Sequence, residues 1–303
     1  MGGDHVKSDI PDNDNPHATL LTTPPQRQRR LTGAVSTSAV RVLVALAGAE
    51  FRRYMTYRQA TVAGSFTNTV FGFLRCYVLL SVAAVTGQVA GYDPRQLVTY
   101  VWVGQGLLAV VNYWGYQELP ERVRTGQVVS DLLRPVDLMA AFCAADTGRA
   151  GHAMLTRFVV PVVVGLLAFD FALPSHAVTY LLFAVSVVLA VLLCSACRYL
   201  VALSSFWLLD IRGAQMVWAV VSGVGSGLYF PLAVLPHWLV TVLWVGTPFP
   251  SLLQAPLDVL IERGGTGHGL VLVAGQAVWL AVMLGLGRVV QRRALRRLVV
   301  QGG

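Results

Sequence analysis

ERVRTGQVVSDLLRPVD, running from Glu121 to Asp137, is a short polar island between two long apolar stretches. Thr125 is a residue type that caps helix N-termini, and Pro135 marks a stop because its ring cannot continue a helix. Between them Gln127, Ser130, Asp131 and Arg134 fall at i, i+3, i+4 and i+7, while Val128, Val129, Leu132 and Leu133 fill the other side. The spacing predicts a two-turn amphipathic helix. A helix that short is not stable alone, so its apolar face needs a surface to press against. Two surfaces are available to it: lipid headgroups, or a soluble partner below a membrane.

The membrane follows from composition. The 303 residues are 55% hydrophobic and only 13% charged, with a mean hydropathy of +0.61; soluble domains carry roughly 25% charged residues. The net charge of +8 does not point to nucleic acid, because the basic residues flank apolar runs, where they orient a chain in a bilayer. The first forty residues are polar and hold no apolar core of the length a secretory signal needs. Residues 1–38, rich in Asp, Asn, Pro, Thr and Arg, read as a disordered cytoplasmic tail, and residues 39–58 as an amphipathic helix lying on the cytoplasmic leaflet, with Leu43, Ala47, Phe51 and Met55 on one face.

Residues 59–303 then read as a six-span membrane domain, all α-helical. Six apolar segments, near residues 60–86, 97–117, 154–173, 177–199, 214–235 and 270–288, are each long enough to cross about 30 Å of hydrocarbon. With both termini inside, the cytoplasmic segments hold twenty Arg or Lys and the outer loops only Arg95 and Arg263, a strong orientation signal. The outer segment from Pro236 to His268 contains two apolar stretches, each shorter than a span, broken by Pro248, Pro250 and Pro256. It reads as re-entrant: it dips into the membrane and returns, packed on protein.

No catalytic constellation is visible. There is no GxxxxGK[ST] loop to hold ATP phosphates, no HExxH, and no Ser, His and acid grouping, and no metal site is expected. Cys194 and Cys197 form a CxxC inside a span without a second pair, which reads as buried free thiols. GVGSG (Gly223 to Gly227) lies inside a span with no preceding strand, so Gly223 and Gly227 read as a small-xxx-small surface for helix packing. Polar groups within spans are few. Asn68 and Arg75 lie seven residues apart on one face, as do Gln105 and Asn112, with Tyr116 continuing the second face. They would line a translocation path or hydrogen-bond the helices to one another.

The order of these features resembles type-2 ABC-transporter permeases, and the exporter branch of viologen and daunorubicin-type efflux systems in particular. Phe51 to Arg75, Tyr100 to Val110, Arg122 to Asp137, Phe206 to Gly213 and Pro231 to Leu239 carry the likeness. The resemblance implies a membrane half of an exporter of hydrophobic or amphipathic small molecules in the cytoplasmic (inner) membrane. It would bind no cofactor itself; ATP and Mg would belong to a separate ABC ATPase, and a second permease, the same or a different chain, would complete the complex. Gln127 to Arg134 would be the helix that docks on the ATPase, and Asn68, Arg75, Gln105 and Asn112 would border the path between subunits. A membrane-embedded lipid-modifying enzyme or a stand-alone channel are the alternatives. The first would need a clustered nucleophile, base or metal set; the second would need no ATPase.

Overall fold

The computed structural model describes Gly2 and residues 25–115, 117–134, 136–208 and 210–297, with side chains from Ala39 onward. The chain divides into two units, Met1–Val42 and Leu43–Gly303, and the second contains the helical bundle. The helix expected over 39–58 is longer: α1 runs from Pro25 to Thr56, so positions 25–38 of the expected tail are helical backbone. Residues 1 and 3–24 of that tail lie outside the described residues, as do Tyr116, Pro135 and Leu209.

Every regular element among the described residues is helical, apart from one isolated bridge between Val89 and Tyr92. After α1 come α2 (Arg58–Thr86), α3 (Pro94–Val111), α4 (Glu118–Arg124), α5 (Val128–Leu132), α6 (Leu138–Ala153), α7 (Val159–Ala168), α8 (Ala177–Leu203), α9 (Arg212–Gly225), α10 (His237–Gly246), α11 (Gln254–Leu260) and α12 (Gly265–Leu295). A π turn over Met154–Phe158 joins α6 and α7 into one continuous helix, Leu138–Ala168. The wider turn lies just before Pro161, which has no N–H and whose ring would collide with the carbonyl of Arg157 in a regular helix.

Among the described residues four helices are long and apolar enough to cross a membrane: α2, α6–α7, α8 and α12. The other two segments expected to span fall on shorter helices, α3 with 18 residues and α9 with 14, or ~27 Å and ~21 Å at 1.5 Å per residue. The helix containing 154–173 also begins earlier than expected, at Leu138, so Asp146, Arg149 and His152 lie within it rather than in a loop.

α3 is the centre of the packing. Asp93 opens it with a capping box: its carboxylate accepts from the Gln96 amide at 2.9 Å while its own amide donates to Gln96 Oε1 at 3.1 Å, with Pro94 at the first helical position. From Leu97 to Leu107 every residue is buried. A helix enclosed by others needs no lipid-facing surface, which is why α3 tolerates Gln105 and Gly104 where the outer helices carry Val and Leu. Tyr100 and Leu107 pack into one core with Val191 and Leu193 of α8 and Leu257 of α11. On the opposite side Trp102 meets the Phe73 ring edge-on, 4.9 Å between centroids, above Cys76.

The segment from Pro236 to His268 folds as helix, break, helix. α10 leaves Trp238, Val242 and Val245 exposed, whereas all seven residues of α11 are buried against α3, α8 and α12. Between them Pro248 and Pro250 bound a 3₁₀ turn, whose Ser251 carbonyl accepts from Gln276 of α12 at 2.8 Å. Gln276 also exchanges hydrogen bonds with Ser186 of α8, so a buried amide ties three elements together.

The part of α1 from Leu43 to Thr56 rests on α6. Leu43, Ala47 and Phe51 are half-buried there, but Met55, expected on the same face, is exposed. The contact depends on Gly148, where an added Cβ would lie 1.9 Å from the Ala47 carbonyl oxygen. Gly148→Ala should therefore lever α1 away from α6 and cost about 1–3 kcal/mol. Thermal unfolding of the purified protein, with Gly151→Ala as the control where a Cβ meets only ordinary contacts, checks this.

Candidate functional site

The site is built where α3 ends. Asn112 takes a left-handed conformation, φ 62°, and terminates the helix, leaving the last carbonyls of α3 without intrahelical partners. Arg149 of α6 supplies donors, with Nη1 to Ala109 O and Nη2 to Val110 O at 2.8 Å each, while its Nε bonds Asp146 Oδ1 at 2.6 Å. Arg198 of α8 reaches the same carboxylate at 3.2 Å and donates to Gly115 O at 2.9 Å. Ser195 donates to it as well. Asp146, Arg149, Arg198 and Ser195 are all buried. A buried charge is tolerated only when paired and hydrogen-bonded; here the pairing also fixes the path of the chain leaving α3. From α9, Trp218 Nε1 donates to Tyr113 O at 3.0 Å and holds the same stretch from the other side.

That path leads into α4, whose first turn carries Glu118 and Glu121 and whose last turn carries Arg122 and Arg124, each sign at the helix end that favours it. Thr125 closes α4 rather than opening α5. Its hydroxyl finds the Glu121 carbonyl at 2.9 Å, and Gly126 follows at φ 74°, the left-handed residue that ends many helices. Gln127 is the N-cap of α5, and α5 makes one turn where the sequence predicts two. Arg122 clasps Asp131 with two bonds, Nε at 2.5 Å and Nη2 at 2.7 Å, a bidentate pair that closes α4 onto α5. Arg134 lies 3.6 Å from Asp131, and Ser130 Oγ donates back to Gln127 O at 2.7 Å.

A single turn cannot hold four apolar side chains against one surface, so the expected apolar face divides. Val128 is 1% exposed and Val129 half-buried, while Leu132 and Leu133 point outward, Leu133 at 83% exposure. Arg53 of α1 pairs with Glu118 at the start of α4, and that carboxylate raises the Arg53 pKa. Between α4–α5 and α9 opens a cleft of about 1370 Å³, walled by Trp114, Gln117, Val129, Phe206 and Trp218.

These are long apolar helices around a short polar helical turn locked by an ion pair. The model of the ABC-2 family of transporter proteins matches residues 66–302. The chain belongs to that family. No curated protein and no solved structure matches it. Membership makes the chain a multi-pass membrane component of an ABC transporter. Members are membrane transport components without an ATP site of their own, and typically work with an ATPase partner. Among the described residues no group of three or more His, Cys, Asp or Glu could hold a metal.

The four polar residues read as one path do not gather in one place. Asn68 Nδ2 donates to the backbone carbonyl of Gln105 at 3.3 Å, joining α2 to α3. Arg75 instead reaches the Leu228 carbonyl beyond the end of α9, and Asn112 caps α3 at its opposite end. Gly223 and Gly227 do not share a helix face, because α9 ends at Gly225. Gly223 packs against the Tyr229 ring, and Gly227, at φ 80°, lies where a Cβ would strike Gln254 Oε1 and the Tyr100 hydroxyl.

Two polar networks escape a reading of the sequence. Asp146 and Arg149 are spaced i, i+3, and Gln254 and Asp258 i, i+4, the spacings that place side chains on one helix face; the first pair lies in a stretch that reads as a cytoplasmic loop, the second in the segment that reads as re-entrant. Gln254 accepts from Tyr100 Oη at 2.8 Å and donates to Tyr92 Oη at 2.7 Å, and Tyr92 donates to Asp258 at 2.7 Å. Arg263 stacks over the Tyr92 ring at 4.0 Å. These bonds seat α11 against α3 and the turn after α9.

Breaking the Asp146 cluster should be costly. Asp146→Ala leaves two buried guanidinium groups without their shared carboxylate and should destabilise by roughly 3–5 kcal/mol, seen as lost folded yield and a lower melting temperature, whereas Ser195→Ala removes one bond and about 1 kcal/mol.

A second measurement concerns Glu262, beyond α11. Its carboxylate accepts from Thr179 Oγ1 at 2.6 Å and from the Ser175 and His176 amides at 3.1 and 3.0 Å, and these bonds, the hydroxyl first, hold its pKa down to about 2 against an ordinary 4.5. A depressed carboxylate stabilises fully above its unfolded pKa, so the contribution is present above pH 4.5 and lost as pH falls toward 2. The difference in melting temperature between the native protein and Glu262→Gln should be largest near neutral pH and shrink below pH 4.5.

Proposed function

We propose that the chain is the permease subunit of an ATP-driven exporter, carrying a hydrophobic or amphipathic small molecule out across the cytoplasmic (inner) membrane. A separate ABC ATPase binds ATP and Mg, and a second permease, the same or a different chain, completes the assembly. The segment from Gln127 to Arg134 receives the ATPase and relays its closure into the bundle. Family membership supports the transport role. The observation that carries the coupling role is the Arg122–Asp131 clasp, which presents Leu132 and Leu133 outward with no intrachain core to fill.

A segment that rested on its own protein would turn its leucines inward. This one buries Val128 as an anchor, half-buries Val129 and exposes Leu132 and Leu133, the arrangement of a helix end meant for a partner's groove. The force path is short: α4 is tied to α1 through Arg53 and Glu118, and the chain before it is tied to α6 and α8 through Gly115 and Arg198. Both termini then lie in the cytoplasm, in keeping with twenty cytoplasmic basic residues against two outside. In this reading α3 and α9 complete six spans, α10–α11 is the re-entrant segment, and the part-buried Asn68, Arg75 and Asn112 border the path between subunits, while Gln105, enclosed within the bundle, lies off it.

Leu133→Asp places a charge on a side chain already in solvent, so the variant should insert and fold normally. ATPase copurification and export should fall together by about tenfold or more, the loss expected for a central contact residue. Val128→Asp, which buries an unpaired charge, should fail to fold and serves as the contrast. Native copurification and export in Leu133→Asp would sink the coupling role.

A further inference from the structure

The cleft between α4–α5 and α9 has features that the coupling role does not use. Its volume of about 1370 Å³ exceeds the pocket of a typical drug-sized ligand, about 300–1,000 Å³. Gln117, the N-cap residue of α4, makes no capping bond. It is 5% exposed, lines the cleft, and its Oε1 has no hydrogen-bond partner. A buried acceptor without a donor is destabilising, and native proteins keep few of them. A ligand N–H or O–H group would supply that donor once the Gln117 amide turns toward the cleft.

The remaining walls define the rest of the ligand. Trp218 spends its indole N–H on Tyr113 O and packs its ring 6.0 Å from that of Phe249; it lines the opening together with Trp114, which is half exposed. Among the charged lining residues, Glu121 pairs with Arg124 at 2.7 Å and Asp210 with Arg212 at 2.7 Å. Arg297 also lines the cleft and has no carboxylate partner among the described residues, which leaves one positive charge in excess.

We infer that this cleft binds an amphipathic molecule with a planar aromatic body, a hydrogen-bond donor for Gln117 and an anionic group for Arg297. The inference rests on the export reading only for its purpose: the cleft is where cargo is taken up, against both the ATPase-facing segment and α9. A ligand there touches Val129 on one side and Trp218 on the other, so its presence is felt by the element that meets the ATPase.

The test is equilibrium binding of 8-anilinonaphthalene-1-sulfonate, which combines two aromatic groups, an N–H and a sulfonate, to the full chain in lipid nanodiscs. Partition into lipid is linear in concentration; binding to the cleft saturates near one probe per chain and quenches tryptophan emission. Gln117→Leu should weaken the saturable component about tenfold, the value of one hydrogen bond near 1.4 kcal/mol, without lowering thermal stability, because it removes an unpartnered buried oxygen. Arg297→Glu, at an exposed lining position, should weaken it severalfold and more so at low salt. A cleft that merely holds water gives either no saturable component or equal affinity in all three proteins, and either result overturns the inference. No ATPase or export is involved, so this result is independent of the fate of the coupling role.

Discussion

One carboxylate governs the geometry of this protein. Asp146 gathers Arg149, Arg198 and Ser195 where α3, α6 and α8 meet, and the two guanidinium groups also donate to the backbone at Ala109, Val110 and Gly115. Ionised groups out of water are unfavourable unless every charge and donor is matched. The cluster therefore has few alternative arrangements. Because its outer bonds fall on the end of α3 and the stretch beyond it, the direction in which α4 leaves the bundle is set by the same interaction.

Such a fixed exit matters because the elements beyond it are too short to hold themselves. α4 and α5 have seven and five residues, well below the length at which a helix is stable alone. They are held by the Arg122–Asp131 clasp, by Val128 in the core, and by Arg53 from α1. A motion imposed on Leu133 would thus be carried by charged contacts with definite geometry. Val128 and Val129 also line the cleft beside α9, so the proposed coupling surface and the proposed ligand site share residues.

At the far end of α3 a second polar network plays an equivalent part. Gln254 and Asp258 project from α11, a helix enclosed on all sides, and find Tyr92 and Tyr100. Their bonds hold α11 in place while α10 keeps Trp238 and Val245 exposed. Each end of α3 is therefore fastened by buried hydrogen bonds, and its middle by packing of Leu107, Tyr100 and Trp102.

The sequence by itself determined the class of protein. Long apolar runs of Val, Leu and Ala, few charges and a polar island at Glu121 to Asp137 are enough for a helical membrane component with a short helical turn between long helices, because burial in lipid acts on composition and period alone. The local signals at Asp93, Pro94 and Gln96 likewise place the start of α3, since a capping box is made by neighbours in the chain. Only the tertiary structure decided how the polar residues are used. Arg198 reads as an orienting charge at the cytoplasmic end of a span until Asp146 is seen beside it, Thr125 reads as an N-cap until Gly126 turns the chain, and Leu133 reads as buried until α5 proves a single turn long. Gly223 and Gly227 look like one surface until α9 ends between them. In each case the deciding partner lies on another helix or depends on where a helix stops, and the free energy of a buried charge or hydrogen bond resides in that pairing, which no single segment contains.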